Sequence, residues 1–190
     1  GAKMWITNGG VSDLAIVWAK GDDGKILGFI VDRDRKGFSV KDIHRKYSLR
    51  ASVTSELIFE DCRVPASHKL DVVGLRGPFS CLNNARYGIS LGALGAAIAC
   101  YDEALNYAKT RIQFGKPIAS YQLVQAKLAY MFTEITKGQL FALHLGRLKD
   151  KGKASAQQIS MAKMNNVSNA LEISRIARDI LGASGITHEY

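Results

Sequence analysis

Residues 111–115, with Lys116 and Pro117 directly after them, combine groups that could bind a charged ligand at the end of a helix. A guanidinium donates two parallel hydrogen bonds, which suits a multiply charged oxyanion such as a phosphate. Gly115 allows the chain to leave the helix with positive φ, and Pro117 prevents the helix from continuing. On this spacing alone, however, a helix end with a solvated arginine is the simpler interpretation.

Four further patterns lie in a fixed order around this segment, and none of them is specific by itself. A tryptophan such as Trp5 is more often a core residue than a wall of a binding site. Arg86 is more often a surface charge, and Gly182 with Gly185 more often marks the end of a helix. The four patterns are residues 5–8, 49–52, 79–86 and 179–185.

Composition bounds the class of protein. A chain of 190 residues can bury a core and form one domain or two small ones. Its net charge of +9 would suit an acidic ligand, such as a nucleotide-bearing cofactor, a coenzyme A tail or nucleic acid, although the charge is spread along the chain. The longest weakly polar run, residues 89–100, is shorter than the ~18 residues of a membrane span, which predicts no span. Three irregularly spaced cysteines indicate reduced thiols in an intracellular setting and no metal site.

The chain changes character near residue 77. Before it, short β-branched segments predict about five strands of a small antiparallel sheet or barrel, with residues 21–24 as a hairpin turn. After it, apolar residues at helical spacing predict three long helices, with Ser155 as the N-cap of the third. This order predicts an α+β fold with domains at residues 1–76 and 77–190. The predicted strands lie near residues 5–7, 14–19, 26–32, 38–43 and 55–59, and the predicted helices near residues 79–110, 118–150 and 154–181.

The first predicted helix is rich in small residues, among them Gly88, Gly92 and Gly95. Interior glycines weaken a helix, so we expect them to allow close backbone approach to a neighbouring helix or a flat ligand.

Taken together, in this order and spacing, the patterns resemble the acyl-CoA dehydrogenase family, and most closely its branch that oxidises glutaryl-CoA. The resemblance covers essentially the whole chain. It implies an FAD enzyme with an N-terminal helical domain, a middle β-domain and a C-terminal four-helix bundle. This chain would hold part of the middle β-domain and most of the bundle, without the N-terminal domain and the last helices. The closer resemblance rests on residues 75–79, 82–89, 133–136, 145–150 and 177–182.

The resemblance implies that two parts of the chain bind FAD. Thr7 would donate its hydroxyl near flavin N5, and Trp5 would cover the ring. Arg111 and Gln122 would bind the FAD phosphate or adenosine across a subunit boundary, and residues 179–183 would supply backbone contacts from the partner subunit. The implied cofactor-binding residues are Trp5, Ile6, Thr7, Arg111, Gln122, Asp179, Ile180, Leu181, Gly182 and Ala183.

The resemblance also implies that the start of the first helix lines the acyl-CoA channel. One departure from the family pattern is Ala183, which stands where the family usually has the second of two paired glycines. This leaves the closeness of backbone approach at that point open. The implied substrate-binding residues are Phe79, Ser80, Cys81, Leu82, Asn83, Asn84, Ala85 and Arg86.

No catalytic base is expected within this chain. Some family members place their catalytic glutamate at the position held here by Ala85, and the remaining family position lies beyond Tyr190. Glu134 is interpreted as a partner of Lys137 in a surface ion pair on a helix. We therefore expect the 190-residue chain alone to be inactive.

The implied reaction begins when a carboxylate removes the α-proton of the thioester and the β-hydride passes to flavin. The resulting glutaconyl thioester then loses carbon dioxide to give crotonyl-CoA. The resemblance further implies an electron-transfer flavoprotein as electron acceptor, a homotetramer, and a location in the bacterial cytoplasm or the mitochondrial matrix. Two alternatives remain open: an acyl-CoA oxidase of the same fold that passes electrons to oxygen, and a nucleic-acid-binding protein that retains the fold. The net charge favours the latter, whereas the lack of basic clusters with interleaved aromatic residues speaks against it.

Overall fold

Six antiparallel strands form two sheets in the first of two units into which the chain divides, Gly1–Ser80 and Cys81–Tyr190. The computed structural model describes residues 1–190. One sheet has the strand order β1-β5-β4 and the other β2-β3-β6. The strands are β1 (Ala2–Thr7), β2 (Leu14–Lys20), β3 (Ile26–Asp32), β4 (Phe38–Asp42), β5 (Thr54–Phe59) and β6 (Lys69–Val73).

The hairpin between β2 and β3 has the turn that the sequence predicts. The backbone N–H of Gly21 donates to the carbonyl of Lys25 at 2.8 Å, and Gly24 has a φ of 77°. Strand β6 was not predicted, because it is short and pairs with β3 at only two positions, Leu27 with Val73 and Phe29 with Lys69.

Three long helices follow, which together with the sheets confirms the predicted α+β class. They are α1 (Arg76–Thr110), α2 (Gln122–Asp150) and α3 (Ala156–Leu181). Ser155 caps α3 as predicted, since its Oγ accepts from the backbone N–H of Gln158 while the side chain of Gln158 accepts from the backbone N–H of Ser155. Helix α2 begins later than expected, because Ile118–Ser120 forms a turn of 3₁₀ helix instead.

The helices share an apolar core that includes the end of α1, the start of α2 and the end of α3. A fully buried amide, Asn166 of α3, lies among them and donates from Nδ2 to the carbonyl of Ser90 on α1 at 3.3 Å. Gly138 of α2 faces this amide, and a Cβ at that position would lie 3.0 Å from Asn166 Oδ1. The main buried cluster comprises Ala97, Ala104, Ala108, Leu128, Met131, Ile135, Ile173, Ala177, Ile180 and Leu181.

The expectation of close helix approach at the glycines of α1 is wrong for contacts within this chain. A Cβ at Gly88, Gly92 or Gly95 would meet no atom within 4 Å. The close approach occurs at Gly138 instead, where a Cβ would lie 2.6 Å from Leu94 Cδ2.

Helix α1 is also the one helix that is long and apolar enough, by length and composition alone, to cross a membrane. A core helix of a soluble protein passes the same test, and α1 contributes Ala97, Ala104 and Ala108 to the core that it shares with α2 and α3. The absence of a membrane span therefore stays a prediction.

Candidate functional site

The end of β1 has an irregular backbone at the predicted flavin contact. The pairing of β1 with β5 shifts register between Lys3 and Ile6, and Trp5 and Asn8 have φ values of 63° and 61°. A bulge re-aims side chains, and a non-glycine residue with positive φ costs of order 1–3 kcal/mol. Trp5 is 67% exposed, so burial of its ring within this chain does not explain the strain. This combination is typical of a segment shaped for binding.

Thr7 and Ile6 line a cavity of about 400 Å³ in the strand unit. Thr7 pairs with Thr54 across the sheet, and its hydroxyl makes no hydrogen bond within the chain. Lys3 and Trp18 line the same cavity, whereas Trp5 does not. An unpaired hydroxyl beside an apolar wall is suited to donate to a ligand atom.

The segment after α1 is a short β-hairpin with a two-residue turn. Strand β7 (Ile112–Gln113) pairs with β8 (Lys116–Pro117). Between them, Phe114 and Gly115 have φ values of 51° and 78°, and positive φ at both positions is what a type I′ turn requires. Gly115 has the predicted positive φ, but it lies in this turn and not at the exit of the helix, because α1 ends at Thr110. The same conformation at the 93% exposed Phe114 was not foreseen.

Arg111 is fixed through its backbone and free at its guanidinium. Its N–H donates to the carbonyl of Tyr107 at 2.8 Å, and its carbonyl accepts from the N–H of Ile118 at 2.9 Å. Its exposed side chain has neither an ion pair nor a hydrogen bond in the chain. Gln122, the first residue of α2, is likewise exposed. Both side chains are therefore available to a ligand.

The last turn of α3 closes on Gly182, whose N–H donates to the carbonyl of Asp179. Gly182 has φ 59° and ψ −131°, a conformation that glycine adopts readily and other residues avoid. Ala183 does not have positive φ, so the missing second glycine causes no backbone strain. The carboxylate of Asp179 forms an exposed ion pair with Lys127 of α2, a partner that lies 52 residues away in sequence.

The end of α1, the start of α2 and the end of α3 lie together. The structure therefore brings the predicted cofactor residues of the helical unit to one end of that unit. Tyr107, near the end of α1, lies with its hydroxyl 3.5 Å from Ser184 Oγ, just after α3. Leu128 of α2 and Leu181 of α3 belong to the same buried cluster. Residues 5–7 belong to the strand unit.

The predicted substrate residues form the first turns of α1. Ser80 Oγ donates to the carbonyl of Gly77 at 2.7 Å, and Arg86 Nη1 donates to Asn83 Oδ1 at 3.2 Å. Asn84 Oδ1 accepts from Lys149 Nζ at 2.9 Å. Sequence reasoning missed the contact of Lys149 with Asn84, because no local pattern links two residues 65 positions apart. Phe79, Cys81, Leu82 and Ala85 are exposed.

The ion pair of Glu134 with Lys137 is confirmed at 2.5 Å, but it is not simply a surface pair. Only 14% of the Glu134 side chain is exposed, and its second oxygen accepts from Asn169 Nδ2 of α3 at 3.1 Å. One carboxylate oxygen therefore pairs along α2, and the other joins α2 to α3.

The carboxyl groups with shifted pKa values all become stronger acids. A side-chain hydrogen bond from Arg35 lowers the pKa of Asp32, and a backbone hydrogen bond from Lys25 lowers that of Asp23. A side-chain hydrogen bond from Thr187 lowers the pKa of Glu189. A base that removes a thioester α-proton works best with a raised pKa, which none of these three groups has.

Two family models match the chain: the acyl-CoA dehydrogenase middle domain at residues 1–62 and the acyl-CoA dehydrogenase C-terminal domain at residues 74–190. The chain belongs to the acyl-CoA dehydrogenase family, which confirms the resemblance seen in the motifs. This family is FAD-dependent, which confirms the predicted cofactor.

Three relatives within this family are similar to the chain over its whole length. Glutaryl-CoA dehydrogenase from Mycobacterium smegmatis is 55% identical, with a TM-score of 0.96, over all of this chain and 49% of that one. A structure of a glutaryl-CoA dehydrogenase from that organism in complex with FADH2 is 53% identical, again with a TM-score of 0.96 and the same coverage of both chains. An acyl-CoA dehydrogenase of Bacillus subtilis is 37% identical over all of this chain and 52% of its own length. The chain thus spans about half the length of these relatives.

Proposed function

We propose that the full-length protein is an FAD-dependent acyl-CoA dehydrogenase that converts glutaryl-CoA to crotonyl-CoA and carbon dioxide. Its electrons would pass to an electron-transfer flavoprotein. The observation that carries the choice of substrate is the 55% identity to a glutaryl-CoA dehydrogenase over the whole chain, against 37% for the Bacillus subtilis acyl-CoA dehydrogenase.

The residues of the strand unit fit one face of a flavin. FAD, when bound, supplies the acceptor for the hydride of the substrate. The unpaired hydroxyl of Thr7 would donate to the polar edge of the ring, and the exposed Trp5 would exclude water from it. Trp5 lies within the bulge in β1, and the strain of its positive φ is the kind that a bound ligand offsets.

The residues of the helical unit fit the charged part of the same cofactor. Arg111 carries an unpaired guanidinium on a backbone that is fixed at both sides, which makes it suited to a pyrophosphate. Gln122 and the turn at Gly182 lie at the same end of the unit and would add polar contacts. We further propose that these contacts reach FAD across subunits of a homotetramer.

The start of α1 would line the acyl-CoA channel. Asn83 and Arg86 are already hydrogen-bonded to each other along the helix, and Lys149 holds Asn84. These contacts leave the apolar side chains of Phe79 and Leu82 exposed for an acyl chain. The carboxylate that removes the α-proton would come from the part of the protein beyond Tyr190.

Anaerobic titration of the purified full-length holoenzyme tests the proposal. We expect glutaryl-CoA to bleach the flavin absorbance and to yield crotonyl-CoA and carbon dioxide. Bleaching by butyryl-CoA or isovaleryl-CoA but not by glutaryl-CoA would leave a dehydrogenase with a different substrate. Rapid hydrogen peroxide formation in air would indicate an oxidase instead.

A matched pair of variants tests the assignment of Arg111. Arg111→Lys keeps the charge but loses the bidentate fork, so we expect FAD affinity to fall by about tenfold or more. Arg147→Lys, at an exposed helix position, is the control and should leave FAD affinity unchanged. Equal affinities of the two variants would remove Arg111 from the FAD site.

A further inference from the structure

The loop between β4 and β5 forms a basic cavity that the FAD and acyl-CoA assignments do not use. Residues 42–46 and 50–54 line a volume of about 410 Å³. Three basic side chains of this loop, His44, Arg45 and Arg50, are exposed and have neither an ion pair nor a hydrogen bond in the chain. Unpaired cations around a concave surface attract an acidic ligand or partner.

The loop is held in one conformation by the fourth cation, Lys46. Its ammonium donates to the carbonyl of Leu49 at 2.9 Å, to the carbonyl of Ser52, and to Thr54 Oγ1 at 2.7 Å. All three of its donors are therefore used inside the loop. Arg45 and Leu49 have φ values of 59° and 49°, and such strain persists only where surrounding contacts enforce it. The loop thus presents its other side chains from a pre-organised backbone.

The exposed residues of the loop have the composition of a protein interface. Tyr47 is fully exposed, and Leu49 is 79% exposed. Tyrosine and arginine are enriched where protein partners bind, and apolar anchors among cations favour a folded partner over a small anion. We call the set of Arg45, Tyr47, Leu49 and Arg50 the basic loop surface.

The loop adjoins the strand end that is proposed to contact the flavin. The N–H of Asn8 donates to the carbonyl of Val53 at 2.9 Å, and Thr7 pairs directly with Thr54. A protein that accepts electrons from a flavin must dock close to it, because electron transfer becomes slow as the separation grows. The loop that carries the basic loop surface therefore adjoins, through Val53 and Thr54, the strand end that is proposed to contact the flavin.

We propose that the basic loop surface docks the acidic face of the protein that reoxidises the flavin. The inference rests on the proposed function, since an electron acceptor is needed only by a flavin dehydrogenase. The two electrons taken from the substrate leave the reduced flavin for the acceptor's redox group, and the accompanying protons go to solvent. Charge attraction speeds the encounter of the two proteins, and Tyr47 and Leu49 stabilise the complex.

The test uses the full-length holoenzyme with an electron-transfer flavoprotein as acceptor. The charge-reversal variant Arg45→Glu/Arg50→Glu is compared with Lys36→Glu/Arg63→Glu, which changes the same charge at exposed, unpaired positions of the same unit. We expect the first variant to raise the KM for the flavoprotein about tenfold or more and to weaken its dependence on salt. Turnover with a small dye acceptor and flavin bleaching by glutaryl-CoA should stay within about twofold in both variants.

Three results would overturn the docking inference while leaving the proposed function standing. The two variants could raise the KM equally, which would mean that only net charge matters. Dye turnover could fall together with flavoprotein turnover, which would mean that the loop acts on the flavin and not on docking. Double-stranded DNA could bind the unaltered protein and be lost in the loop variant, which would make this a nucleic-acid surface. Absence of bleaching in the unaltered protein would refute the proposed function itself, and the docking inference with it. Tyr47→Ala provides a second check, since it should raise the KM without changing the salt dependence.

Discussion

Replacement of Gly182 by alanine isolates the effect of one backbone conformation. A Cβ at this position would meet no atom within 4 Å, so the substitution introduces no clash. Its effect arises from the φ of 59° and ψ of −131°, which an alanine reaches only at a cost of about 2 kcal/mol. We expect Gly182→Ala to lower the free energy of unfolding by this amount if the turn keeps its shape.

The same substitution should weaken FAD binding if the turn relaxes instead. A loss of about 2 kcal/mol corresponds to a roughly thirtyfold increase in the Kd for FAD. Urea denaturation of the full-length protein and titration of the apoprotein with FAD measure the two effects separately. The loss of unfolding free energy and the loss of FAD-binding free energy should together be close to the cost of about 2 kcal/mol for alanine in this backbone conformation.

The neighbouring substitution Ala183→Gly is the matched control. Ala183 does not have positive φ, so glycine there should cost only the entropy of a more flexible residue, roughly 0.5–1 kcal/mol. Our reasoning would be refuted if Gly182→Ala changed neither unfolding nor FAD binding. It would be refuted equally if Ala183→Gly had the larger effect on both.

Three further predictions concern stability. Gly138→Ala should destabilise the protein by about 1–3 kcal/mol in thermal denaturation, because its Cβ would lie 2.6 Å from a leucine methyl group. The control Gly92→Ala should stabilise α1 by about 1 kcal/mol, because its Cβ would meet no atom of this chain. A larger loss of stability in Gly92→Ala than in Gly138→Ala would contradict the helix packing. Ser155→Ala should cost about 1 kcal/mol in urea denaturation through loss of the capping box, and an unchanged midpoint would argue against that cap. The hydrogen bond from Arg35 lowers the pKa of Asp32 below the ordinary value of 3.8. The ionised Asp32 therefore stabilises the folded protein at pH values above 3.8, and this stabilisation is lost as the pH falls through the lower pKa of the folded state. Asp32→Asn should flatten the stability profile over that acidic range, and an unchanged profile would argue against the pairing.

Local signals in the sequence were enough to predict most elements of the fold. The turn at residues 21–24 and the cap at Ser155 depend on chemistry within a few positions, and both are confirmed. Strand β6 depends instead on β3, more than thirty residues away in the chain, and its own residues lack a clear alternation. The start of α2 was misplaced because residues 118–120 have helical propensity but form a 3₁₀ turn.

The candidate site was predictable where a motif is contiguous and not where it is assembled by the fold. Contiguous segments such as residues 111–115 could be recognised from their residue types. The partners that fix or complete them could not, because Lys127 and Lys149 reach their acceptors from 52 and 65 residues away. The positive φ of Trp5 has no signal in the sequence either, since tryptophan is among the residues least suited to it.

The hairpin between α1 and α2 has a consequence for how the protein can vary in length. Its two strands pair only as Ile112 with Pro117 and Gln113 with Lys116, and a two-residue loop joins them. A single inserted or deleted residue would break both pairs and would rotate the entry of α2 relative to the end of α1. We therefore expect that residues between Arg111 and Gln122 can be substituted with little effect on the relative position of these two side chains, whereas an insertion or deletion there would change it. Engineered tags and permutation sites belong elsewhere, for example at residues 151–153.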